Sequence, residues 1–409
     1  MTDARSSPVA PSQRHEIIDI VRGFALFGVL VANLAFTAQW FATPESVLES
    51  MATATIDGYV DLALLYLVDH KFISLFSMLF GLGLAMQVRR ARERGQPIGG
   101  FLFRRMLVLW LIGMAHAVFV WHGDILQYYA VAGVTLLVFG RFSQRTILMS
   151  GLCLGVLSGL MPWIGLLLGQ SGVDPGSEEV LARRYQTMTE GSYLDIVRMN
   201  VDVIRSDYAK VFGDIASSAV IWYLGPLWKA LIGYAIGLSG LHERPEDLAR
   251  IARRLLPWTL LIGLTVGSIP VVSLVGWDVW LSSGGPWARL LMVPVEFASV
   301  ALAAGYACIL VILWNRGTGR RIIGSLAPVG RTALTNYIMQ SVLMVLVLYG
   351  IGFGLIGRIG GTLCIAASIL IFGMQVAASA WWLRRFRFGP VEWLWRSLSY
   401  WKLQPMRRR

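Results

Sequence analysis

Charged residues are scarce in this chain. Asp, Glu, Lys and Arg make up 15% of its 409 residues, whereas a soluble domain carries roughly 25%. Hydrophobic residues make up 56%, and the mean hydropathy is +0.61. This composition excludes an ordinary soluble protein and indicates a polytopic membrane protein, most of whose side chains face lipid or other apolar helices.

Residues that bind metals or form disulfides are also few. The three cysteines, Cys153, Cys308 and Cys364, all lie in apolar runs, and none belongs to a CxxC pair. This spacing excludes a disulfide framework and a cysteine-based metal site. The five histidines show neither HxxxH nor HExxH spacing, so we expect no metal centre.

Acidic residues are outnumbered by basic ones, and the formal net charge is +12. In a membrane protein such an excess belongs to cytoplasmic loops and to lipid head groups. We therefore expect the lipid bilayer as a partner and no nucleic acid. Residues 1–15 are polar and lack an apolar core, so we predict a disordered cytoplasmic tail rather than a cleavable signal.

Long apolar segments alternate with shorter polar loops. Ten segments approach the roughly 20 residues that a helix needs to cross a bilayer, at about 17–40, 59–88, 101–121, 125–139, 146–168, 218–238, 255–275, 287–314, 332–350 and 360–383. Basic loops follow every second segment, which predicts that both termini lie on the cytoplasmic side of a bacterial inner membrane. The predicted fold class is all-α, a polytopic transmembrane bundle of about ten helices.

The predicted organisation has two membrane halves. Residues 16–168 form an N-terminal five-helix half, residues 218–388 a C-terminal five-helix half, and residues 389–409 a basic cytoplasmic tail. Residues 169–217 are polar and lie outside by parity, either as a surface cap or as a loosely helical lid. We also expect the aromatic stretch 277–280 in an outer loop, as is common at membrane interfaces.

The first apolar segment carries Asp19, Arg22 and Asn33 on one helical face. An ionisable pair inside a membrane helix must face protein or water rather than lipid. We therefore predict that this helix faces the inside of the bundle. The alternative is an N-terminal signal anchor with a charged flank.

The second segment carries a polar stripe, made of His70, Ser74, Ser77 and Gly81 at helical spacing. Asp69, His70 and Lys71 lie about a third of the way in from its outer end, and three consecutive ionisable residues inside a span favour a functional site. The alternative is that the helix begins later, which would make this triplet its outer cap.

Histidines recur near the outer ends of the third and fourth segments. His116 lies one to two turns from the outer end, and His122 and Asp124 flank the following turn. One histidine with an orienting carboxylate would make a general base. Equally, His116 could be a packing residue and Asp124 a plain N-cap. Two further ionisable residues, Lys229 in the sixth segment and Glu296 in the eighth, could simply form an ion pair with each other.

The ninth segment repeats Thr332, Asn336 and Gln340 every four residues, on one face. It begins on the cytoplasmic side beside Arg331, and helix N-termini and arginines both suit phosphates. Because Arg22 begins the first segment on the same side, an anionic cofactor could dock between them. A polar hydrogen-bonded seam between helices is the alternative.

Several of these stretches resemble the YeiB-like family of bacterial membrane proteins. The matching residues are Arg14, Asp19, Arg22, Gly23, Asn33, Lys71, Phe72, 75–77 (LFS), 79–81 (LFG), His116, 123–126 (GDIL), Tyr129, Ala130, 330–337 (GRTALTNY), Gln340, Ser341 and 389–396 (GPVEWLWR). The C-terminal half is similar to the domain of unknown function, number 418, that defines the family. This resemblance covers nearly the whole chain and implies its architecture.

The opening DxxRG, at residues 19–23, is similar to that of transmembrane acyltransferases, including relatives of heparan-glucosaminide acetyltransferase. The resemblance implies a transmembrane-acyltransferase-like fold, cytosolic acyl-CoA as donor, and a histidine near the other face. Carried over to this chain, it makes His116 the base, oriented by Asp124 or Asp69, with Lys71 stabilising the oxyanion. His70 and His122 are the other outer-half histidines. Arg22, Arg331, Thr332 and Asn336 are the residues expected at the acyl-CoA phosphates.

Two functions from different classes follow. The first is acyl transfer from cytoplasmic acyl-CoA to an alcohol or amine acceptor of the envelope. It requires a cavity that opens near Arg22 and Arg331 and continues to the outer histidines. The second is a transporter or exporter of a small or lipidic molecule, which requires a two-fold repeat with broken helices at the midplane. A non-enzymatic scaffold is a third hypothesis. The sequence does not decide whether the chain forms a homo-oligomer.

Overall fold

The computed structural model describes residues 16–41, 43–168, 178–213, 218–271 and 289–408. Within these ranges the regular structure is helical, and only an isolated bridge, Phe386 to Arg407, has β geometry. The predicted all-α class is therefore confirmed. The predicted disordered tail and the aromatic outer loop at 277–280 lie outside the described residues.

The described helices are numbered here in chain order. They are α1 (Glu16–Ala35), continued by a π-helical turn (Phe36–Trp40), α2 (Glu45–Glu49), α3 (Ala54–Leu67), α4 (Lys71–Glu93), α5 (Gly99–Phe119), α6 (Leu126–Phe139), α7 (Gln144–Leu167), α8 (Glu178–Glu190), α9 (Tyr193–Gly213), α10 (Ser218–Leu238), α11 (Pro245–Thr265), α12 (Met292–Arg316), α13 (Arg320–Gly324), α14 (Ala327–Arg331), α15 (Ala333–Leu348), α16 (Gly361–Arg385) and α17 (Pro390–Tyr400).

Most of the long helices have the length and the apolar composition of membrane spans. Seven described helical segments are long and apolar enough to cross a bilayer, and an eighth arises if α13–α14 and α15, which are bent by 87°, count as one span. Each of the ten predicted segments contains a helix, although α6, with 14 residues, is short for a span. The chain is therefore a multi-pass helical membrane protein.

Helix α1 lies against α4, α12 and the α14–α16 region, and most of its residues are buried. Arg22 donates to Asp19 at 2.8 Å, so the ionisable pair is satisfied within the bundle. A Cβ on Gly330 would overlap the Asp19 carbonyl, and one on Gly23 would overlap the Leu326 carbonyl. These two glycines let the backbones of α1 and α14 touch, which agrees with the prediction that this helix faces the inside of the bundle.

The second predicted span is interrupted. Helix α3 ends at Leu67 and α4 begins at Lys71. Between them the backbone of His70 has a φ of 58°, a left-handed value that residues other than glycine rarely adopt. Even so, the two helices together make one apolar segment, Ala54–Glu93, that is long enough to span the membrane, and the triplet lies at the break within it. With 23 residues, α4 alone extends about 35 Å, which is long enough to cross a bilayer, so the alternative that the triplet caps the outer end of this helix also stays open.

Basic residues gather at one end of the bundle, which we call the arginine end. There Arg89 contacts Glu243, Arg92 donates to the Gly140 carbonyl, and Arg104 donates to the Ser399 carbonyl at 2.8 Å. These contacts join the end of α4 and the start of α5 to neighbouring loops and α17. The α3–α4 break and the α5–α6 turn lie at the opposite end.

Residues 178–213 form two helices rather than an irregular cap. Asn200 of α9 donates to the Val118 carbonyl at 3.2 Å, and Tyr193 donates to the Phe119 carbonyl at 2.8 Å. Helices α8 and α9 therefore form a lid over the end of α5, opposite the arginine end. This agrees with the helical-lid alternative for the polar stretch.

Candidate functional site

His116 and Asp124 form a buried dyad. Their Nδ1 and Oδ1 atoms lie 2.9 Å apart, and the two side chains are 1% and 0% exposed. The other carboxylate oxygen of Asp124 accepts the Gln127 backbone N–H at 3.0 Å. A Cβ on Gly113 would lie 2.7 Å from Asp124 Oδ2. The carboxylate is thus fixed by the start of α6 and by a glycine of α5, as an orienting group requires.

The second ring nitrogen of His116, Nε2, is not used by the bond to Asp124. Nε2 is buried and makes no hydrogen bond within the described part of the chain. When Nδ1–H donates to the Asp124 carboxylate, Nε2 carries the lone pair of the neutral ring. The ring lies beside Tyr337, with centroids 5.4 Å apart. This arrangement can act as a general base toward a group placed at Nε2.

A cavity of about 360 Å³ opens at the arginine end, between α1, α4, α5, α6, α15 and α17. Its mouth is basic, lined by Arg22, Arg90, Arg94, Arg105, Arg331 and Arg396. Its inner part is apolar and aromatic, lined by Phe76, Phe80, Met106, Leu126, Tyr129 and Tyr337. A cationic mouth with an apolar interior suits an anionic ligand that carries a hydrophobic arm.

One layer of side chains separates this cavity from the dyad. Tyr337 lines the inner cavity, touches the His116 ring, and accepts the Ile125 backbone N–H at its hydroxyl, 3.2 Å away. Leu126 lines the cavity two residues after Asp124. The cavity therefore ends at Tyr337 and does not itself reach His116, which lies on the far side of that ring.

The start of α15, where we expected phosphates, already holds an anion. Glu392 of α17 accepts the backbone N–H groups of Leu334 at 2.6 Å and Thr335 at 3.1 Å, and the Thr335 hydroxyl as well. This carboxylate uses the free amides of the helix terminus. The cationic groups that line the cavity are its arginines, of which Arg22 is paired with Asp19.

Thr332 and Asn336 form a seam between α15 and α16. The Asn336 amide donates to the Thr332 hydroxyl at 2.8 Å and to the Ser379 hydroxyl at 3.0 Å. Next along the seam, Gln340 donates to Gln375 at 2.9 Å. Of the four expected phosphate ligands, Arg22 and Arg331 line the cavity, whereas Thr332 and Asn336 match the seam alternative.

The triplet at the start of α4 belongs to a different place. His70 lies 3.4 Å from Asp69, and Lys71 donates to the Leu65 carbonyl at 2.7 Å. Asp124, rather than Asp69, is the carboxylate bonded to His116. His70 lines a small cavity with Lys229 and Glu296.

His122 faces the lid rather than the dyad. Its ring stacks on Phe41 at 4.1 Å, and its Nδ1 lies 3.3 Å from Asn200. Burial lowers the pKa of His122 to about 4, although the hydrogen bond to Asn200 opposes that shift. The imidazole is therefore neutral at physiological pH and acts as a docking contact for α9.

Sequence reasoning missed the cavity lining from α5 and α17. Arg105 packs over the Trp395 ring at 3.8 Å, and the Trp395 indole donates to the Arg105 carbonyl at 2.8 Å. Helix α17, predicted as part of a basic tail, is therefore a packed wall of the cavity. The only available signal was the apolar and aromatic spacing of 389–396.

Comparison with known proteins places these features in a wider group. The family model described as a protein of unknown function, DUF418, matches residues 236–402. The uncharacterized protein YxaH of Bacillus subtilis strain 168 is 29% identical over 416 residues, covering 98% of both chains. The uncharacterized protein YeiB of Escherichia coli K12 is 28% identical over 398 residues, covering 95% of this chain and 96% of its own. The similarity thus extends over the dyad, the cavity and the lid.

Proposed function

The chain belongs to the YeiB-like DUF418 family, and we propose that it transfers an acyl group from cytoplasmic acyl-CoA to an alcohol or amine acceptor on the other side of the membrane. The observation that carries this proposal is the buried His116–Asp124 dyad, one side-chain layer beyond a cavity with a basic mouth. Such a transfer requires a base within reach of a site for the anionic donor, and here a single side-chain layer separates the two.

The arginine end supplies the donor site in this proposal. The positive-inside rule assigns that end to the cytoplasm of a bacterial inner membrane, where acyl-CoA is made and used. Arg22, Arg331 and Arg396 would hold the phosphates through charge-assisted hydrogen bonds. The apolar interior would take the acyl-bearing arm. A volume of about 360 Å³ fits the arm, and the nucleotide would stay at the mouth.

Acyl transfer then needs one base and no cofactor beyond the donor. His116 Nε2 removes the proton from the acceptor O–H or N–H as that atom attacks the thioester carbonyl. Asp124 stabilises the imidazolium that results. The new C–O or C–N bond forms, the C–S bond breaks, and the proton on His116 passes to the leaving thiolate. Tyr337 must turn aside for the thioester to reach Nε2.

The experiment that tests this proposal is calorimetric titration of the detergent-solubilised protein with CoA and acetyl-CoA. We expect wild type and His116→Ala to bind with similar affinity, because the base lies beyond the phosphate site. Arg331→Ala should weaken binding by roughly ten- to a hundredfold, because a charge-assisted hydrogen bond is worth roughly 1.5–3 kcal/mol.

Arg250→Ala is the matched control. Arg250 lies on α11, is 61% exposed, and pairs with Asp247 at 3.1 Å; it does not line the cavity. Its loss should leave CoA affinity unchanged. If wild type binds neither CoA nor acyl-CoA up to millimolar concentration, the acyltransferase proposal fails and transport of another molecule takes its place.

A further inference from the structure

A second, smaller cavity lies between α4, α10 and α12. Its volume is about 40 Å³, which is enough for a water molecule. Lys229 Nζ and Glu296 Oε2 lie 3.2 Å apart on its wall, and Ser158 donates to the other Glu296 oxygen at 3.4 Å. The polar stripe of α4, through His70 and Ser77, completes its lining. The proposed acyl transfer makes no use of these groups.

A pair of hydroxyls joins this small cavity to the large one. Ser77, which lines the small cavity, has its Oγ 2.8 Å from the hydroxyl of Tyr129. Tyr129 in turn lines the cavity that opens at the arginine end. Serine and tyrosine hydroxyls each offer one donor and an acceptor, so they can pass a proton between the two cavities.

The other end of the route reaches the surface. His70 lines the small cavity, and its side chain is 53% exposed at the start of α4, with Asp69 3.4 Å away. In the described part of the chain, the ionisable groups that line the small cavity are His70, Lys229 and Glu296, and Asp69 and Lys71 flank His70 in sequence. The cavity lining thus extends from the exposed His70 side chain to Ser77.

A buried ion pair alone would say little, because such pairs are often only structural. Here the pair borders a water-sized cavity, and a hydroxyl bridge continues from that cavity to a second one. We propose that His70, the Lys229–Glu296 cavity, Ser77 and Tyr129 form a proton path across the membrane. Ionisable groups buried in membrane helices commonly serve proton relays.

His70 takes a proton from solvent and gives one to a water molecule in the small cavity, where Glu296 is the exchanging carboxylate. The Ser77 hydroxyl donates to the Ile73 carbonyl at 2.7 Å; in the relay it turns from that carbonyl and releases its proton to the Tyr129 hydroxyl as the water gives a proton to Ser77 Oγ. Tyr129 releases its original proton into the large cavity. Each oxygen gains and loses one proton, so one proton crosses without other bond changes.

The test uses the full chain in vesicles of phosphatidylethanolamine and phosphatidylglycerol that enclose a pH-sensitive dye. A potassium diffusion potential, negative inside, drives protons inward, and the rate of internal acidification is measured. We expect wild-type vesicles to acidify faster than protein-free vesicles. Ser77→Ala and Tyr129→Phe, which each remove one relay hydroxyl, should lower the rate to that of protein-free vesicles.

The matched controls remove buried hydroxyls elsewhere. Ser368→Ala removes a hydroxyl that donates to the carbonyl of Cys364 on its own helix, and Tyr349→Phe removes a fully buried phenol. Both should keep the wild-type rate. The inference is overturned if wild type acidifies no faster than protein-free vesicles, or if Ser77→Ala and Tyr129→Phe both keep the wild-type rate.

CoA affinity separates this inference from the proposed function. Ser77→Ala should bind CoA as wild type does, because Ser77 lines only the small cavity. Proton flux without CoA binding would therefore support the path and refute the acyltransferase proposal. CoA binding without flux would do the reverse.

Discussion

The strongest prediction concerns the stability coupling between His116 and Asp124. Asp124→Ala removes a fully buried acceptor from both the His116 ring and the Gln127 amide. Each of the two orphaned buried donors costs about 1–3 kcal/mol, so the free energy of unfolding should fall by about 2–6 kcal/mol. Asp124→Asn keeps the shape and one acceptor oxygen, so it should lose only about 1–2 kcal/mol.

A double-mutant cycle isolates the pair. With His116→Ala and Asp124→Ala as the two single changes, we expect a coupling energy of about 1–3 kcal/mol, because two buried partners share one charge-assisted bond. The assay is equilibrium unfolding in mixed micelles of increasing sodium dodecyl sulfate content. Glu179→Ala, which breaks an exposed pair with Arg183, should change stability by less than about 0.5 kcal/mol. A coupling energy indistinguishable from zero would refute the dyad.

Three further predictions follow from the fold. Reporter fusions after Arg94 should read cytoplasmic, and fusions within 178–190 external; a cytoplasmic signal from 178–190 would contradict the ten-helix topology. Arg22→Ala should lower the amount of folded protein, and Asp19→Asn with Arg22→Gln should recover part of it; a double variant no better than the singles would mean that the pair is uncoupled. Because burial lowers the pKa of His122 from its ordinary 6.5 to about 4, the unfolded chain binds more protons between these values, and stability should fall below pH 6.5, by at most about 2 kcal/mol at pH 5. His122→Asn should flatten this slope of melting temperature against pH, and an unchanged slope would assign it to another group.

Residue spacing along the chain was enough to predict two polar pairs of the bundle. The spacing of Asp19 and Arg22 predicted a pair on one helix face, and the structure has that pair at 2.8 Å. His116 and Asp124 are eight residues apart across one tight turn, so chain geometry alone keeps them close. Both pairs are short-range, and helix periodicity and a short turn suffice to place them.

The cavity depended on contacts that sequence spacing does not show. Glu392 lies more than fifty residues from the α15 amides that it caps, and Trp395 covers Arg105 from the other end of the chain. The residue type alone did not separate Thr332 and Asn336, which form a seam with α16, from Arg331, which lines the cavity. That choice depends on which neighbour each helix face meets.

The sequence by itself determined the membrane class, the all-α fold and the approximate helix segments, because apolar length and charge are local properties. Tertiary structure alone decided that α3 and α4 are separate helices, that α8 and α9 form a lid, and that Tyr129 joins two cavities. Those features arise where helices distant in sequence meet. Many helix faces in this chain are equally hydrophobic, so hydrophobicity does not specify which face packs against which. Close packing in the assembled bundle selects the partners.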